Sequence, residues 1–252
     1  MITEQVQIVK VGSGVFRTFG IQKVCAFLAE QIAALWRADG IKTLIVTSGA
    51  GVCGETEMGG TCGFLKQTVA SIGQPILMEQ YRVPFRKHDL FVSQVLETDA
   101  SILHRIEWGN TKQVIDDCFA HGAIPIVNEN DAVSVQQFLT DNDQLTALLA
   151  EALHPQAVLF ITDAKGVFQG HPDDSESVQY AEIDYQNPPH IEAGTSKDGR
   201  GGMNGKLTHA LSCYAGGVCR VAIVGLTADV IVRFARGEAV PTSVGTVNRL
   251  IQ

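Results

Sequence analysis

The chain alternates between strand-like and helix-like apolar segments along almost its whole length. Short continuous apolar runs predict buried strands, and apolar residues three to four positions apart predict helices. The predicted strands cover residues 6–11, 43–46, 91–96, 123–127, 157–161 and 218–224. The predicted helices cover residues 21–36, 102–119, 145–153 and 203–214, and Asp229 opens a further one. This order predicts a three-layer α/β/α sandwich around a mainly parallel sheet.

The length of the chain fits one domain. Its 252 residues and 27.1 kDa suit a single large α/β domain with a substantial core. No internal repeat and no separating linker interrupts it, so residues 1–252 are predicted to form one domain. The least periodic segment is 168–199; its proline pair at 188–189 and the glycine-rich residues 199–202 favour mobile loops.

The charge balance is acidic, with a formal net charge of -8 and a pI near 5.3. A protein that coats nucleic acid needs clustered lysine and arginine, so nucleic acid is not an expected partner. No apolar run approaches the ~20 residues that cross a bilayer, and the N-terminus lacks a basic region followed by an apolar one. The sequence therefore predicts a cytoplasmic protein without a membrane partner.

Neither cysteine nor histidine follows a metal-binding spacing. The six cysteines are scattered without a CxxC pair, and the seven histidines form no HxxxH or HExxH pattern. Buried free thiols are the expected state of the cysteines, and no protein metal site is predicted.

Short polar residues are concentrated at 128–131 and 140–143, between the predicted strand 123–127 and the helix 145–153. Ligands of open α/β sheets bind outside the carboxyl ends of the strands, which is where this segment falls. Its carboxylates can receive an ammonium group and its amides can hold polar substrate atoms. The alternative is an Asn- and Asp-rich turn that caps the next helix.

Three glycine-rich corners, at residues 10–14, 48–51 and 201–206, border predicted strands or helices. Glycine lets backbone amides approach an anion, and a helix N-terminus adds partial positive charge. Lys10 and Lys206 could add full charges, a combination that suits phosphoryl transfer. Each corner alone could be an ordinary turn, and each lysine alone a solvated charge. No GxxxxGK[ST] motif is present, so this is not a P-loop protein.

Asp163 directly follows the predicted strand 157–161 and Thr162. A carboxylate beside a buried strand is costly unless a neighbouring group compensates it. The sequence favours Lys10 and Lys206 as its partners, which Asp163 would orient. The alternative is a turn aspartate ahead of Gly166.

Taken together, these motifs resemble the amino acid kinase family, and within it the members that phosphorylate glutamate. The resemblance extends from Lys10 to residues 245–246. Its most specific part is the NEND and DND pair at 128–131 and 141–143. The other matching segments are 10–13, 46–50, 124–127, 162–163 and 201–203.

The resemblance implies transfer of the ATP γ-phosphate to the side-chain carboxylate of L-glutamate, the first step of proline synthesis. The residues that would bind glutamate are Ser48, Asp131 and Asn142. Lys10 and Lys206 would stabilise the phosphoryl group in transit, and Asp163 would orient them. The residues that would contact ATP are Lys10, Thr162, Asp163, Arg200, Gly201, Gly202, Met203, Asn204, Gly205 and Lys206. Mg²⁺ would be held by nucleotide phosphates and water, without a protein ligand.

The chain departs from the family pattern at several positions. Gly205 and Arg200 stand where the family usually has threonine, Asp99 replaces a common arginine, and Gly170-His171-Pro172 replaces Ala-Asp-Pro. Many bacterial relatives add a C-terminal domain that resembles RNA-modification modules, which we do not expect here. The resemblance also suggests a homo-oligomer, either a dimer or a tetramer.

Two rival hypotheses remain. The first is a kinase of the same fold for another acceptor, such as aspartate, acetylglutamate or a nucleoside monophosphate. A phosphate-bearing acceptor should require cations near its site, and residues 128–143 contain none. The second is a weakly active sensor that binds glutamate or proline, against which the retained Lys10, Asp163 and Lys206 argue.

Overall fold

The computed structural model of the protein describes residues 5–61, 63–134, 141–172, 174, 176–191 and 202–251. The strands are β1 (Val6–Val11), β2 (Lys42–Thr47), β3 (Phe91–Glu97), β4 (Ala123–Glu129), β5 (Ala157–Thr162), β6 (Phe168–Gln169), β7 (Val178–Asp184), β8 (Arg220–Gly225), β9 (Ser243–Gly245) and β10 (Arg249–Leu250). The helices are α1 (Ser13–Phe19), α2 (Ile21–Ala38), α3 (Ala50–Met58), α4 (Lys66–Arg86), α5 (Asp99–Leu103), α6 (Arg105–Ala120), α7 (Asn142–Leu153), α8 (Gly202–Ala215) and α9 (Val230–Ala235).

The strands form one sheet in the order β10-β7-β9-β8-β5-β1-β2-β4-β3, with β6 paired to β7. Strands β3, β4, β2, β1, β5 and β8 are mutually parallel, and the antiparallel pairs are β8 with β9, β7 with β10 and β6 with β7. The carboxyl ends of the parallel strands therefore meet at one edge of the sheet. The predicted fold class is confirmed.

Each face of the sheet is covered by helices because side chains along a strand point alternately to opposite faces. On one face Val9 packs in a core with residues of α2, α3, α4 and α9. On the other face Ile8 packs with residues of α6, α7 and α8. Two apolar cores on either side of one sheet make the three layers that the sequence predicts.

Several parts of the fold differ from the sequence prediction, which also lacks the short elements α1, α3, β6, β9 and β10. Helix α4 is not predicted, because Pro75 and Pro84 lie inside it and interrupt the helical pattern. Strand β7 lies within 168–199, where loops are predicted; it pairs with three other strands. The predicted helix 102–119 is divided between α5 and α6, because His104 has an extended backbone at φ -87° and ψ 107°.

Helices α3 and α4 touch backbone to backbone at two glycines. A Cβ built on Gly73 of α4 would lie 1.8 Å from the carbonyl oxygen of Ala50. A Cβ built on Gly54 of α3 would lie 2.0 Å from the carbonyl oxygen of Val69. Real Cβ atoms cannot approach a backbone oxygen so closely, so only glycine permits this packing.

Gly73→Ala is expected to lower the free energy of unfolding by about 3 kcal/mol, because the methyl group must push the two helices apart. Gly109→Ala is the matched control, since Gly109 also lies inside a helix but its Cβ would meet no atom within 4 Å. The control should be stabilised by up to about 1 kcal/mol through helix propensity. Chemical denaturation of both variants measures the difference, and equal stabilities would contradict the close contact.

Candidate active site

The predicted site residues gather at the carboxyl edge of the parallel strands. Lys10 is the fifth of the six residues of β1, and Ser48 directly follows β2. Asn128 and Glu129 end β4, and Thr162 ends β5. Since β1 lies between β2 and β5, and β4 pairs with β2, these side chains come from adjacent strands. This edge is where open α/β sheets bind ligands.

Two buried lysines share one carboxylate at this edge. Lys10 Nζ lies 2.5 Å from Asp143 Oδ1, and Lys206 Nζ lies 3.0 Å from Asp143 Oδ2. The three residues are only 5–7% exposed. Asp143 lies in the first turn of α7, where the side chain of Asp141 caps the helix by accepting hydrogen bonds from the backbone amides of Asp143 and Gln144.

Lys10, Lys206 and Asp143 together carry an excess of positive charge. Burial lowers the pKa of Lys10 to about 8; attraction by Asp143 opposes this shift, while repulsion by Lys206 adds to it. Burial alone would raise the pKa of Asp143, but the two ammonium groups outweigh it and hold that pKa well below its usual range. At neutral pH two ammonium groups thus face one carboxylate, and an anion such as a phosphoryl group fits the excess positive charge.

Among the described residues both lysines pair with Asp143 and not with Asp163, whose role in orienting them stays a prediction. Asp163 is exposed; its Oδ1 accepts a hydrogen bond from Thr162 Oγ1 at 3.1 Å, and its carboxylate lies against Gly14, where a Cβ would come within 2.8 Å of Oδ2. The chain turns to solvent after β5, so this carboxylate needs no lysine to compensate burial. Proximity to Gly14 places Asp163 beside the first glycine corner, and its contact with ATP stays a prediction.

Asp143 is the functional residue that the sequence reasoning did not single out. It belongs to the DND segment 141–143, whereas the sequence favours Asp163 at a strand end as the partner of the lysines. The feature of the sequence that indicates Asp143 is its position. It lies two residues after the capping residue Asp141, so the start of α7 holds its carboxylate at the sheet edge.

A network of neutral side chains lies next to the charged triad. Asn142 Nδ2 lies 2.9 Å from Asn128 Oδ1 and 3.2 Å from Ser48 Oγ. Asn142 Oδ1 accepts a hydrogen bond from the backbone amide of Glu129 at 3.2 Å. Asn142 and Asp143 are consecutive, so the network and the triad share the first turn of α7. The structure therefore brings Ser48 and Asn142 together, as the sequence predicts.

Asp131 lies in the turn that follows β4, and its backbone amide donates to the carbonyl oxygen of Glu129 at 3.0 Å. This turn comes directly after the strand that carries Asn128. Asp131 therefore lies at the same edge of the sheet as Asn128. Its role in binding the acceptor stays a prediction.

The glycine corners precede helices. Gly49 has a left-handed backbone at φ 106° at the start of α3, and a Cβ there would lie 2.8 Å from the ring of Phe16. Gly12 precedes α1, and a Cβ there would lie 3.8 Å from Lys10 Nζ. The first two corners therefore lie beside Lys10 and Ser48, and their role in anion binding stays a prediction.

The third corner is only partly described, because Arg200 and Gly201 lie outside the described residues. Gly202 opens α8, which carries the buried Lys206. Asn204 Nδ2 donates to the carbonyl oxygen of Ile191 at 3.0 Å, and Met203 packs against the core below α8. A Cβ on Gly205 would meet nothing within 4 Å. Of this corner, Lys206 is the residue that the structure brings to the triad.

No group of three or more His, Cys, Asp or Glu side chains that could hold a metal ion occurs within the described ranges. The described cysteines are free thiols, four buried and Cys219 exposed. Among the described residues, no helix is both long and apolar enough to span a membrane.

A mainly parallel sheet with helices on both faces and a buried lysine pair at its carboxyl edge defines an α/β protein with a candidate anion-binding site. The chain belongs to the amino acid kinase family, whose sequence pattern matches residues 5–225. The expected family is thereby confirmed.

Two curated relatives named glutamate 5-kinase illustrate the similarity. The protein of Meiothermus ruber is 31% identical over 253 residues, covering 93% of this chain and 64% of the relative. The protein of Bacteroides thetaiotaomicron is 32% identical over 235 residues, covering 89% of this chain and 65% of the relative. The chain thus spans about two thirds of the length of these relatives.

Among solved structures, a T. acidophilum isopentenyl phosphate kinase product complex superposes with a TM-score of 0.67. The alignment covers 96% of this chain and 100% of that one, at 15% sequence identity. At this identity the likeness shows the shared fold alone.

Proposed function

We propose that the protein transfers the γ-phosphoryl group of ATP to the side-chain carboxylate of L-glutamate, giving L-glutamyl 5-phosphate for proline synthesis. The main observation behind the proposal is that the lysine pair and the neutral network both contact the first turn of α7. Asp143 holds the lysine pair, and the preceding Asn142 joins the neutral network of Ser48 and Asn128. The relatives named glutamate 5-kinase support this acceptor.

The reaction needs little proton chemistry. A side-chain carboxylate is ionised at neutral pH, so its oxygen can attack the γ-phosphorus without a general base. The bond between that phosphorus and the β,γ-bridging oxygen breaks, and its electron pair leaves on ADP. The protein's part is to align the two reactants and to stabilise the charge that spreads over the moving group.

Lys10 and Lys206 would stabilise that group, and Asp143 would hold both ammonium groups in place. Preorganised cations in a buried site need no rearrangement as charge develops. The nucleotide would be held by Lys10, Thr162, Asp163 and the corner 200–206. Mg²⁺ would bind through nucleotide phosphate oxygens and water and would neutralise part of their charge.

On the acceptor side, Ser48, Asn142 and Asp131 would bind L-glutamate. Asp131 supplies a carboxylate for the amino group, and Ser48 and Asn142 supply neutral polar groups. A phosphate-bearing acceptor would need cations here, yet Ser48, Asn128 and Asn142 are uncharged. The dimer or tetramer and the cytoplasmic location stay predictions.

The test is turnover of ATP by the purified protein with Mg²⁺, with hydroxylamine present to trap an acyl phosphate. L-Glutamate should give hydroxamate, whereas L-aspartate, N-acetylglutamate and UMP should give none or far less product. If product forms with only one of the other compounds, that compound is the acceptor and L-glutamate is not. Binding of glutamate without any turnover would favour a sensor.

The kcat/KM for ATP is expected to be level below pH 8 and to fall as pH rises through about 8. Lys10 is cationic below its pKa of about 8 and neutral above it, so the free enzyme loses a phosphate-binding charge. Asp143, Lys206 and Asp141 are the charged groups that act on Lys10. The profile is measured at saturating glutamate.

Lys10→Arg provides the control for this profile, because a guanidinium stays charged across the whole range. Whatever activity the variant retains should lack the decline near pH 8. A decline of the same position in Lys10→Arg would assign the titration to another group.

A further inference from the structure

Gln74 of α4 lies against the neutral network but has no part in the roles assigned so far. The backbone contact between α3 and α4 at Gly54 and Gly73 brings α4 close to the sheet edge. Tyr81, two turns further along α4, is fully buried, and its hydroxyl lies 2.8 Å from Thr47 Oγ1 at the end of β2. These contacts fix the position of Gln74 relative to the strand ends.

The Oε1 atom of Gln74 determines the orientation of the Asn128 side-chain amide in the neutral network. Gln74 Oε1 accepts a hydrogen bond from Asn128 Nδ2 at 3.0 Å. A carbonyl oxygen can only accept, so the Asn128 amide must turn its nitrogen toward α4 and its oxygen toward Asn142. That oxygen accepts the hydrogen bond from Asn142 Nδ2.

The other atom of the same amide is unsatisfied. Gln74 Nε2 is buried, and no described residue accepts a hydrogen bond from it. A buried donor without an acceptor costs about 1–3 kcal/mol. The same amide bonds to Asn128, so this N–H lies within a few ångströms of the acceptor-side network. An acceptor atom of a ligand would satisfy this donor.

A cleft lies along the first half of α4. It has a volume of about 560 Å³ and is lined by Leu65, Gln67, Thr68, Ser71, Ile72 and Ala132. Ser71 lies one helical turn before Gln74, and Ala132 directly follows Asp131. The cleft thus separates the first half of α4 from the turn that carries Asp131.

We propose that Gln74 is a further acceptor-binding residue, whose Nε2–H donates to a carboxylate oxygen of the amino acid acceptor. A carboxylate is the strong acceptor that a buried N–H lacks, and a hydrogen bond to a charged group is worth more than one to a neutral group. Gln74 would thus hold the acceptor opposite Asp131, while its Oε1 keeps Asn128 in register. This inference rests on the proposed function.

The test compares Gln74→Glu with Gln74→Met. The glutamate variant keeps an oxygen for Asn128 Nδ2 but replaces the N–H by an anionic oxygen that repels a carboxylate. We expect its KM for L-glutamate to rise about 10- to 100-fold, the loss of a hydrogen bond to a charged group, while its KM for ATP stays within about twofold. Gln74→Met removes both polar atoms and should raise the same KM at least as much.

Gln80→Glu is the matched control, since it makes the same change on α4 about 9 Å along the helix axis. Its KM for L-glutamate should equal that of the wild type. If Gln74 serves only as the acceptor for Asn128, Gln74→Glu will behave as wild type and Gln74→Met alone will be impaired, which overturns the proposal.

Thermal unfolding shows whether each variant is folded. If Gln74→Glu does not fold, Gln74→Asn is measured instead, because it keeps a neutral amide but withdraws it by one methylene; an unchanged KM for L-glutamate then overturns the proposal. If the wild type phosphorylates L-glutamate and Gln74→Glu shows the same kinetics, only the role of Gln74 is refuted. Wild-type protein without glutamate turnover refutes the proposed function and this inference together.

Discussion

Lys206→Ala is expected to lower kcat about 10²–10³-fold, the usual cost of removing one preorganised group that stabilises transition-state charge. Lys206 Nζ is buried and held by both oxygens of Asp143, at 3.0 and 3.1 Å. It is therefore already placed before charge develops on the phosphoryl group. The KM for L-glutamate should change little, because the neutral network does not include Lys206.

Lys23→Ala on α2 is the control for this variant. Lys23 is an exposed helical lysine, so the control removes the same charge far from the triad. Its kcat should match that of the wild type. A Lys206→Ala enzyme with wild-type kcat would remove Lys206 from the chemistry; one with raised KM for L-glutamate and normal kcat would move it to the acceptor side.

Asp143→Asn is expected to lower the free energy of unfolding by about 3–5 kcal/mol, the cost of breaking a buried ion pair by removing one partner. Lys10 and Lys206 would then repel each other without a carboxylate between them. Loss of that attraction should lower the pKa of Lys10 further, so that a smaller fraction of Lys10 is cationic at pH 7. The variant should accordingly also lose most of its affinity for ATP.

Asp141→Asn gives the matched comparison, because it makes the same change two residues earlier on α7. Asparagine caps a helix about as well as aspartate, so this variant should lose less than about 1 kcal/mol. Urea unfolding of both variants at pH 7 measures the difference. Equal losses would mean that the cap, and not the shared carboxylate, determines the stability of this corner.

The sequence predicts those elements whose apolar pattern is regular and unbroken. Strands β1, β4 and β5 and helices α2 and α7 follow this pattern, and their predicted positions agree with the structure to within a few residues. Helix α4 was missed because packing against α3 and the sheet overrides the two prolines that interrupt its pattern. Strand β7 was missed because its buried apolar residues, Tyr180 and Ile183, are three positions apart and so do not follow the alternation typical of a strand.

The sequence predicts the part of the candidate site that is formed by residues at the ends of the parallel strands. Lys10, Ser48 and Thr162 lie at or next to the ends of neighbouring parallel strands, so their proximity follows from the order of the sheet. The pairing of Lys206 with Asp143 depends on how α8 packs beside α7, which no local pattern encodes. Gln74 was missed for the same reason, because its helix was not predicted.

The glycine contacts between α3 and α4 have a consequence for acceptor selection. One helix follows Ser48 and the other carries Gln74, and with their backbones in direct contact the two helices should move as one rigid body. The hydroxyl and the amide would then keep a constant separation whatever acceptor enters. The lysine pair is held by β1, α7 and α8, and Asn142 of α7 links it to Ser48. A constant spacing between the neutral network and the lysine pair would then limit the length of the acceptor, and an acceptor one methylene shorter than glutamate should place its carboxylate short of the phosphoryl group.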